Sequence, residues 1–186
     1  MNLKKMLMKL WEKDTARKLS WVHQYLKKED KILDIGSGPC FMASFLMERG
    51  FDVTAVDVQD LSAFKKIKPI IYDGKKLPFE KNVYDVSLLL TVLHHIRDFK
   101  TTIKEAKRVS KRIIIIEDVY HSTFNKYLIY FFDSLVNWEF LNHPHNNLDD
   151  RQWKRLFKEE NLTIENTQYH KIAYFCTQAT YSLRVN

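Results

Sequence analysis

A glycine pair and three spaced carboxylates are the residues of this chain best suited to chemistry. Gly36-Ser37-Gly38 follows a short apolar run, Lys31–Ile35, and leads into a stretch of helical composition from residue 41. A loop between a buried strand and a helix brings backbone N–H groups and the positive end of the helix dipole together at the carboxyl edge of a sheet, where α/β proteins bind nucleotides. Asp57 falls 21 residues after Gly36, at the end of the next predicted strand, where an acid can accept hydrogen bonds from both hydroxyls of a ribose. With Asp34 and Asp73 it places an acid at the tip of each of the first three predicted strands. One such carboxylate could be a helix cap or a solvated charge; three at these spacings fit a nucleoside ligand. A dinucleotide pyrophosphate site wants a third glycine where this chain has Phe41, and the Gly-Lys-Ser/Thr ending of a P-loop is absent. The loop therefore suits a ligand that carries adenosine without phosphate.

A second set of groups could move protons. His94, His95, Glu117, Asp118 and His121 gather after the fourth and fifth predicted strands, and histidine titrates near neutrality. His143 and His145 flank Pro144 in a polar loop. Two histidines without a third ligand fixed by spacing do not make a metal site, so no metal is expected there and a contact with substrate is the preferred reading. The segment 124–140 is mainly apolar and includes Tyr127, Phe131, Phe132, Trp138 and Phe140; it could pack in the core, wall an apolar pocket or rest on a membrane.

Alternating elements must position these groups. Apolar side chains at near-helical spacing predict one or two amphipathic helices over 3–29. Strands are predicted at 31–35, 51–58, 69–72, 84–90 and 112–117, the last with four consecutive isoleucines that imply cover on both faces. Helices are predicted at 41–49, 61–67, 99–109 and 149–160, and two further strands at 162–169 and 173–183. Alternation of this kind predicts a doubly wound parallel sheet. The expected organisation is a single domain over 1–186, with a helical cap at 1–29, a ligand-binding half at 30–120, and substrate-side helices and terminal strands at 121–186.

Composition narrows the class. The chain has 186 residues, 45% hydrophobic and 28% charged, which excludes disordered and low-complexity polymers. Its four glycines compare with about thirteen at average usage, so each should sit where a side chain would obstruct. The net charge of +7 permits an anionic partner, but residues 1–33 carry nine basic and four acidic groups, so most of the excess lies on one predicted helical region. Cys40 and Cys176 are too few for a disulfide framework and read as reduced thiols, which points to the cytoplasm. No run approaches the ~20 apolar residues of a membrane span, and lysines interrupt the N-terminus where a signal peptide would be apolar.

Taken in order, Ile32-Leu33-Asp34-Ile35-Gly36-Ser37-Gly38, Val53-Thr54-Ala55-Val56-Asp57, Tyr72-Asp73-Gly74 with Leu77-Pro78-Phe79, and Tyr84-Asp85-Val86 leading to Val92-Leu93-His94-His95 resemble the class I S-adenosylmethionine-dependent methyltransferases, especially the small-molecule branch with the ubiquinone- and menaquinone-type enzymes. The resemblance covers about residues 30–120. It implies a Rossmann-like seven-stranded sheet of order 3-2-1-4-5-7-6 with the last strand antiparallel, and S-adenosyl-L-methionine as cofactor. It also implies that Gly36, Ser37 and Gly38 lie against the methionine part with Asp34 orienting it, and that Asp57 with Val58 holds the ribose. Asp73 with Gly74 would face the adenine, and the backbone at Leu90 would receive the ammonium. The family often has a further glycine where this chain has Cys40.

On this reading the acceptor is small and apolar or aromatic. His95 is the candidate base, and His94, Glu117, His143 and His145 are candidate acceptor contacts. The fourth strand ends in Leu89-Leu90-Thr91-Val92 and lacks the Asn/Asp-Pro-Pro-aromatic ending of exocyclic-amine methyltransferases of nucleic acids, so a nucleic-acid substrate is not expected. A peripheral membrane contact and the oligomeric state stay open. The alternatives are a non-catalytic S-adenosylmethionine-binding regulator and an NAD-dependent oxidoreductase.

Overall fold

The structure, a computed structural model, describes residues 3–120, 146–173 and 176–186. One sheet of seven strands runs through it: β1 (Lys31–Ile35), β2 (Asp52–Asp57), β3 (Ile70–Ile71), β4 (Tyr84–Leu90), β5 (Ser110–Val119), β6 (Leu162–Ala173) and β7 (Cys176–Val185). Their spatial order is β3-β2-β1-β4-β5-β7-β6. The first five are parallel, and β7 enters antiparallel between β5 and β6, as the family resemblance implied. The strand order switches once, between β1 and β4, so a crevice opens at the carboxyl ends of those two strands beside the tip of β2.

Ile113, Ile114, Ile115 and Ile116 of β5 all have zero exposure, which is why this strand reads as an unbroken apolar run. On one face Ile113 and Ile115 join Leu33, Ile35 and Leu89 against α3 (Phe99–Val109) and α4 (Asp150–Glu159), through Ile103, Val109, Trp153 and Phe157. On the other, Ile114 and Ile116 join Ile32, Val86 and Leu88 against Leu19 and Val22 of α1 (Leu3–Val22) and Met42, Ala43 and Leu46 of α2 (Phe41–Glu48). Burial of each isoleucine contributes roughly 2 kcal/mol.

Local signals set the helix boundaries. Asp98 caps α3 by accepting from Thr101 N at 3.2 Å, and Asp149 with Gln152 forms a reciprocal capping box at the start of α4. α1 crosses the sheet from its carboxyl edge, where Lys18 meets Thr91, to its amino edge, where Arg112 donates to Tyr25 O at 2.7 Å just past the helix end. The helix predicted at 61–67 is not formed. Ser62 Oγ accepts from Phe64 N at 3.1 Å and donates to Ile67 O at 2.5 Å, so a side chain takes the backbone partners a helix would need. This irregular turn covers the start of α2, with Ala63 N donating to Pro39 O and Phe64 edge-on to Phe41. β3 is shorter than predicted, pairing through Ile70 and Ile71 alone. Residues 121–145, with His121, the whole apolar segment 124–140, His143 and His145, lie outside the described residues.

Candidate functional site

The glycine loop is strapped to the tip of β2. Gly36 N and Ser37 N both donate to Val56 O, at 2.9 and 3.1 Å, and Gly38 N donates to Asp57 Oδ2 at 2.8 Å. Asp57 Oδ1 accepts from Val58 N at 2.7 Å. Gly36 has φ +71°, and a Cβ there would lie 2.3 Å from Val92 Cγ2, so the loop presses against the turn after β4 and tolerates no side chain. A Cβ on Gly38 would meet nothing within 4 Å, which leaves its outer side clear for a ligand.

Cys40 stands where the family often has glycine, and it keeps a left-handed backbone, φ +62° and ψ +23°. A non-glycine residue there costs roughly 1–2 kcal/mol. The side chain is fully buried, with Sγ 3.6 Å from Ser37 Oγ and 3.7 Å from Gly38 O, so the loop turns as a glycine would turn it while filling space beneath. Burial pushes the Cys40 thiol up from its ordinary value.

Asp34, on β1, is 3% exposed and its Oδ2 has no partner. Burial, with the charge of Asp57 added, pushes its carboxyl up to about 7. A buried carboxylate oxygen without a donor is costly, and a ligand ammonium or hydroxyl would satisfy it. Asp73, just past β3, is exposed and accepts from Lys75 N and Lys76 N at 2.8 and 2.9 Å, which holds its carboxyl below the usual range. Gly74 follows at φ +74°, where a Cβ would come 3.3 Å from Val58, itself 55% exposed. Val58 and Gly74 thus form a small apolar shelf between Asp57 and Asp73.

The turn after β4 hangs on one buried acid. Glu117, fully buried, accepts from Val92 N at 3.0 Å and Leu93 N at 2.8 Å through Oε1, and its Oε2 lies 2.6 Å from His94 Nδ1. His94, 2% exposed, has its ring centroid 4.1 Å from that of half-buried His95. Asn146 is tied to the same turn, donating from its backbone to His94 O at 3.3 Å and from its amide to Ile96 O at 2.7 Å. His94 and Glu117, read from the sequence as acceptor contacts, meet each other and the backbone; their geometry is that of a support for the turn beside Gly36.

Matching the chain to known proteins adds what geometry alone does not. Residues 33–113 match the family model described as a methyltransferase domain. They contain the glycine loop, all three strand-tip acids and the Glu117-anchored turn up to His95. Over this stretch the chain is similar to S-adenosylmethionine-dependent methyltransferases. Demethylmenaquinone methyltransferase of Corynebacterium glutamicum is 31% identical over 107 residues, which cover 55% of this chain and 44% of that protein. The chain therefore spans under half the length of the curated relatives it matches. The fold is shared with geranyl diphosphate C-methyltransferase of Streptomyces coelicolor, at TM-score 0.74 and 11% identity over 98% of this chain and 83% of that one. Magnesium protoporphyrin IX methyltransferase of Synechocystis, solved with S-adenosylhomocysteine, gives 0.66 and 13% over 99% and 88%.

Sequence reasoning missed Lys18. It is 7% exposed, donates to Thr91 Oγ1 at 2.6 Å and pairs with Asp14 at 2.5 Å, and so joins α1 to the residue after Leu90. Its signal was the helical stripe Trp11, Lys18, Val22, in which a lysine occupies an otherwise apolar row. Among the described residues no group of three metal-ligating side chains occurs, and no helix is long and apolar enough to cross a membrane.

Proposed function

We propose that this chain transfers the methyl group of S-adenosyl-L-methionine to a small apolar or aromatic acceptor. The observation that carries the cofactor assignment is the unpartnered Oδ2 of buried Asp34 beside a glycine loop whose outer face is clear. Asp34 orients the methionine part, with Gly36, Ser37 and Gly38 as its floor and the Leu90 carbonyl edge beside it. Asp57 receives the ribose hydroxyls. A carboxylate offers about four lone-pair sites; Gly38 N takes one on Oδ2, and Val58 N and, at a long 3.4 Å, Gln59 N take those on Oδ1, so one ribose hydroxyl meets the open site on Oδ2 and its neighbour replaces the Gln59 contact on Oδ1. The Val58–Gly74 shelf carries the adenine ring, with Asp73 at its rim.

The cofactor, when bound, supplies a sulfonium-activated methyl group, so the protein has to align the acceptor, exclude water and accept a proton where the nucleophile carries one. His95, half-buried on the turn after β4, is the candidate base that the sequence motif offers. The acceptor class rests on the likeness to demethylmenaquinone methyltransferases and on the uncharged, apolar ending of β4.

Calorimetry with S-adenosylhomocysteine and with NAD(H) tests the first half: binding of the former and not the latter is expected, and the reverse overturns the proposal. Incubation with a methyl-labelled donor and fractionated lipid-soluble extract tests the second, with label expected in an extractable aromatic product. Cofactor binding without label transfer to any fraction would instead favour a regulatory binding module.

A further inference from the structure

A buried polar cluster adjoins the glycine loop without serving it. Asp118 lies two residues beyond Ile116, the register partner of Leu90, on the sheet face shared with Ile114 and Ile116 and covered by α1. Its neighbour Glu117 points the other way, into the turn after β4. Gln178 stands directly across the β5–β7 ladder from Asp118, and the Cys176 thiol donates to Asp118 Oδ1 at 3.6 Å. From the helix side Lys18, with Asp14 and Thr91, closes the cluster. Thr91 precedes Val92, which touches Gly36, so one turn separates this cluster from the loop.

Four buried polar atoms at this seam have no partner: Gln178 Oε1 and Thr180 Oγ1 on β7, His170 Nε2 on β6, and Arg17 Nε on α1. His170 is the cross-strand partner of Gln178 and stacks on Trp21 at 3.8 Å. Gln178 is 7% exposed and Thr180 is fully buried. Buried polar groups in folded proteins are ordinarily hydrogen-bonded, and four orphans at one seam mark a place built for a polar ligand. Apolar packing would have been served by the residues that fill the opposite face of β7: Ala179, Tyr181 and Leu183.

We propose that this cluster is the acceptor subsite and that it takes a hydroxyl-bearing aromatic molecule, the hydroxyl donating its hydrogen bond to Asp118. The proposal rests on the methyl-transfer reading. As the hydroxyl oxygen attacks the methyl carbon, an O–C bond forms and the C–S bond breaks with its electron pair going to sulfur. The hydroxyl proton passes to the Asp118 carboxylate, which releases it to water. The products are a methyl ether and the neutral thioether. The nearby Lys18 ammonium favours the developing oxyanion. Burial pushes the Asp118 carboxyl up from the usual carboxylate range.

The test uses the full chain saturated with S-adenosylhomocysteine and two coloured probes, 4-nitrophenol and 4-nitroanisole, which differ only in whether the oxygen bears a proton. The nitrophenol should bind at least tenfold more tightly, with growth of its yellow phenolate band. Asp118→Asn should erase both the preference and the colour while leaving the affinity for S-adenosylhomocysteine within threefold. Equal affinity for the two probes, binding of neither, or a preference that survives Asp118→Asn overturns the proposal. Should that variant fail to fold, Gln178→Met serves in its place: it should weaken nitrophenol binding several-fold and leave nitroanisole unchanged, and equal effects on both probes overturn the proposal. Failure of the wild-type chain to bind S-adenosylhomocysteine is a separate result, and sinks the reading under Proposed function instead.

Discussion

Replacing Asp57 by alanine should weaken S-adenosylhomocysteine binding far more than it weakens the fold. The carboxylate spends one lone pair of Oδ2 on Gly38 N, at 2.8 Å, and those of Oδ1 on Val58 N, at 2.7 Å, and on the long contact with Gln59 N, at 3.4 Å, so ribose takes the open site on Oδ2 and replaces Gln59 N on Oδ1. Losing two charged hydrogen bonds to the hydroxyls, at about 1.5–3 kcal/mol each, removes roughly 3–6 kcal/mol of binding. That corresponds to a rise in Kd of roughly a hundred- to ten-thousand-fold at 1.4 kcal/mol per decade. The loop loses one strap but keeps Gly36 N and Ser37 N on Val56 O, so the cost to folding should stay near 1–3 kcal/mol. Isothermal titration gives the first quantity and urea unfolding of the ligand-free protein the second. Asp57→Asn, which retains an acceptor but no charge, should fall between wild type and alanine. A Kd within threefold of wild type in a variant shown to be folded would place the ribose elsewhere and refute the lone-pair argument.

Other consequences can be checked by equilibrium unfolding. Asp34 titrates at about 7 in the folded protein against 3.8 as its ordinary value, so between those values the native state holds a proton the unfolded chain has released. Its contribution is fully present below about 4 and is lost as pH rises to about 7; Asp34→Asn should abolish that fall and stabilise the ligand-free protein at pH 8 relative to wild type, and equal stability changes at pH 5 and pH 8 would argue against it. Glu117→Ala strips acceptors from Val92 N and Leu93 N and leaves His94 without its carboxylate, which should cost about 3–5 kcal/mol in urea unfolding, with Glu117→Gln costing less. Gly36→Ala forces a methyl to within 2.3 Å of Val92 Cγ2 in a left-handed backbone, for about 2–4 kcal/mol of strain and overpacking combined. Val92→Ala in the same chain should recover the overpacking part alone, and full recovery would show that the backbone carries no strain.

Elements whose sequence and environment agree were readable in advance. β1, β4 and β5 are buried on both faces, and such strands appear as continuous apolar runs. Asp98 and Asp149 stand one residue before helices that begin where capping chemistry says they should. The stretch 61–67 misled because Leu61, Phe64 and Ile67 recur at three-residue intervals, while the competing hydrogen bonds of Ser62 leave no trace in periodicity. The three strand-tip acids were visible from spacing, but their different states were not. Asp34 is buried and short of a donor, Asp57 is strapped to the loop, and Asp73 is exposed and holds its own turn; those differences arise from neighbours far away in the chain. Likewise the pair Glu117-Asp118 read as two equivalent carboxylates. Strand alternation sends them to opposite faces, one to brace a turn and the other toward α1. That Cys40 would keep a left-handed backbone could be suspected from its place in the loop, since the chain must bend there whichever residue is present.

The antiparallel entry of β7 has a bearing on synthesis. Until residues 176–185 emerge, β5 is the open edge of the sheet, and it presents Ile113, Ile114, Ile115 and Ile116 in an unpaired run of the kind that recruits other chains. Charged residues bracket that run on both sides, Lys111 and Arg112 before it and Glu117 and Asp118 after it. Such flanking charges act as gatekeepers against edge-to-edge association. Glu117 and Asp118 would thus serve the nascent chain as guards before they serve the finished one in the turn and beneath α1.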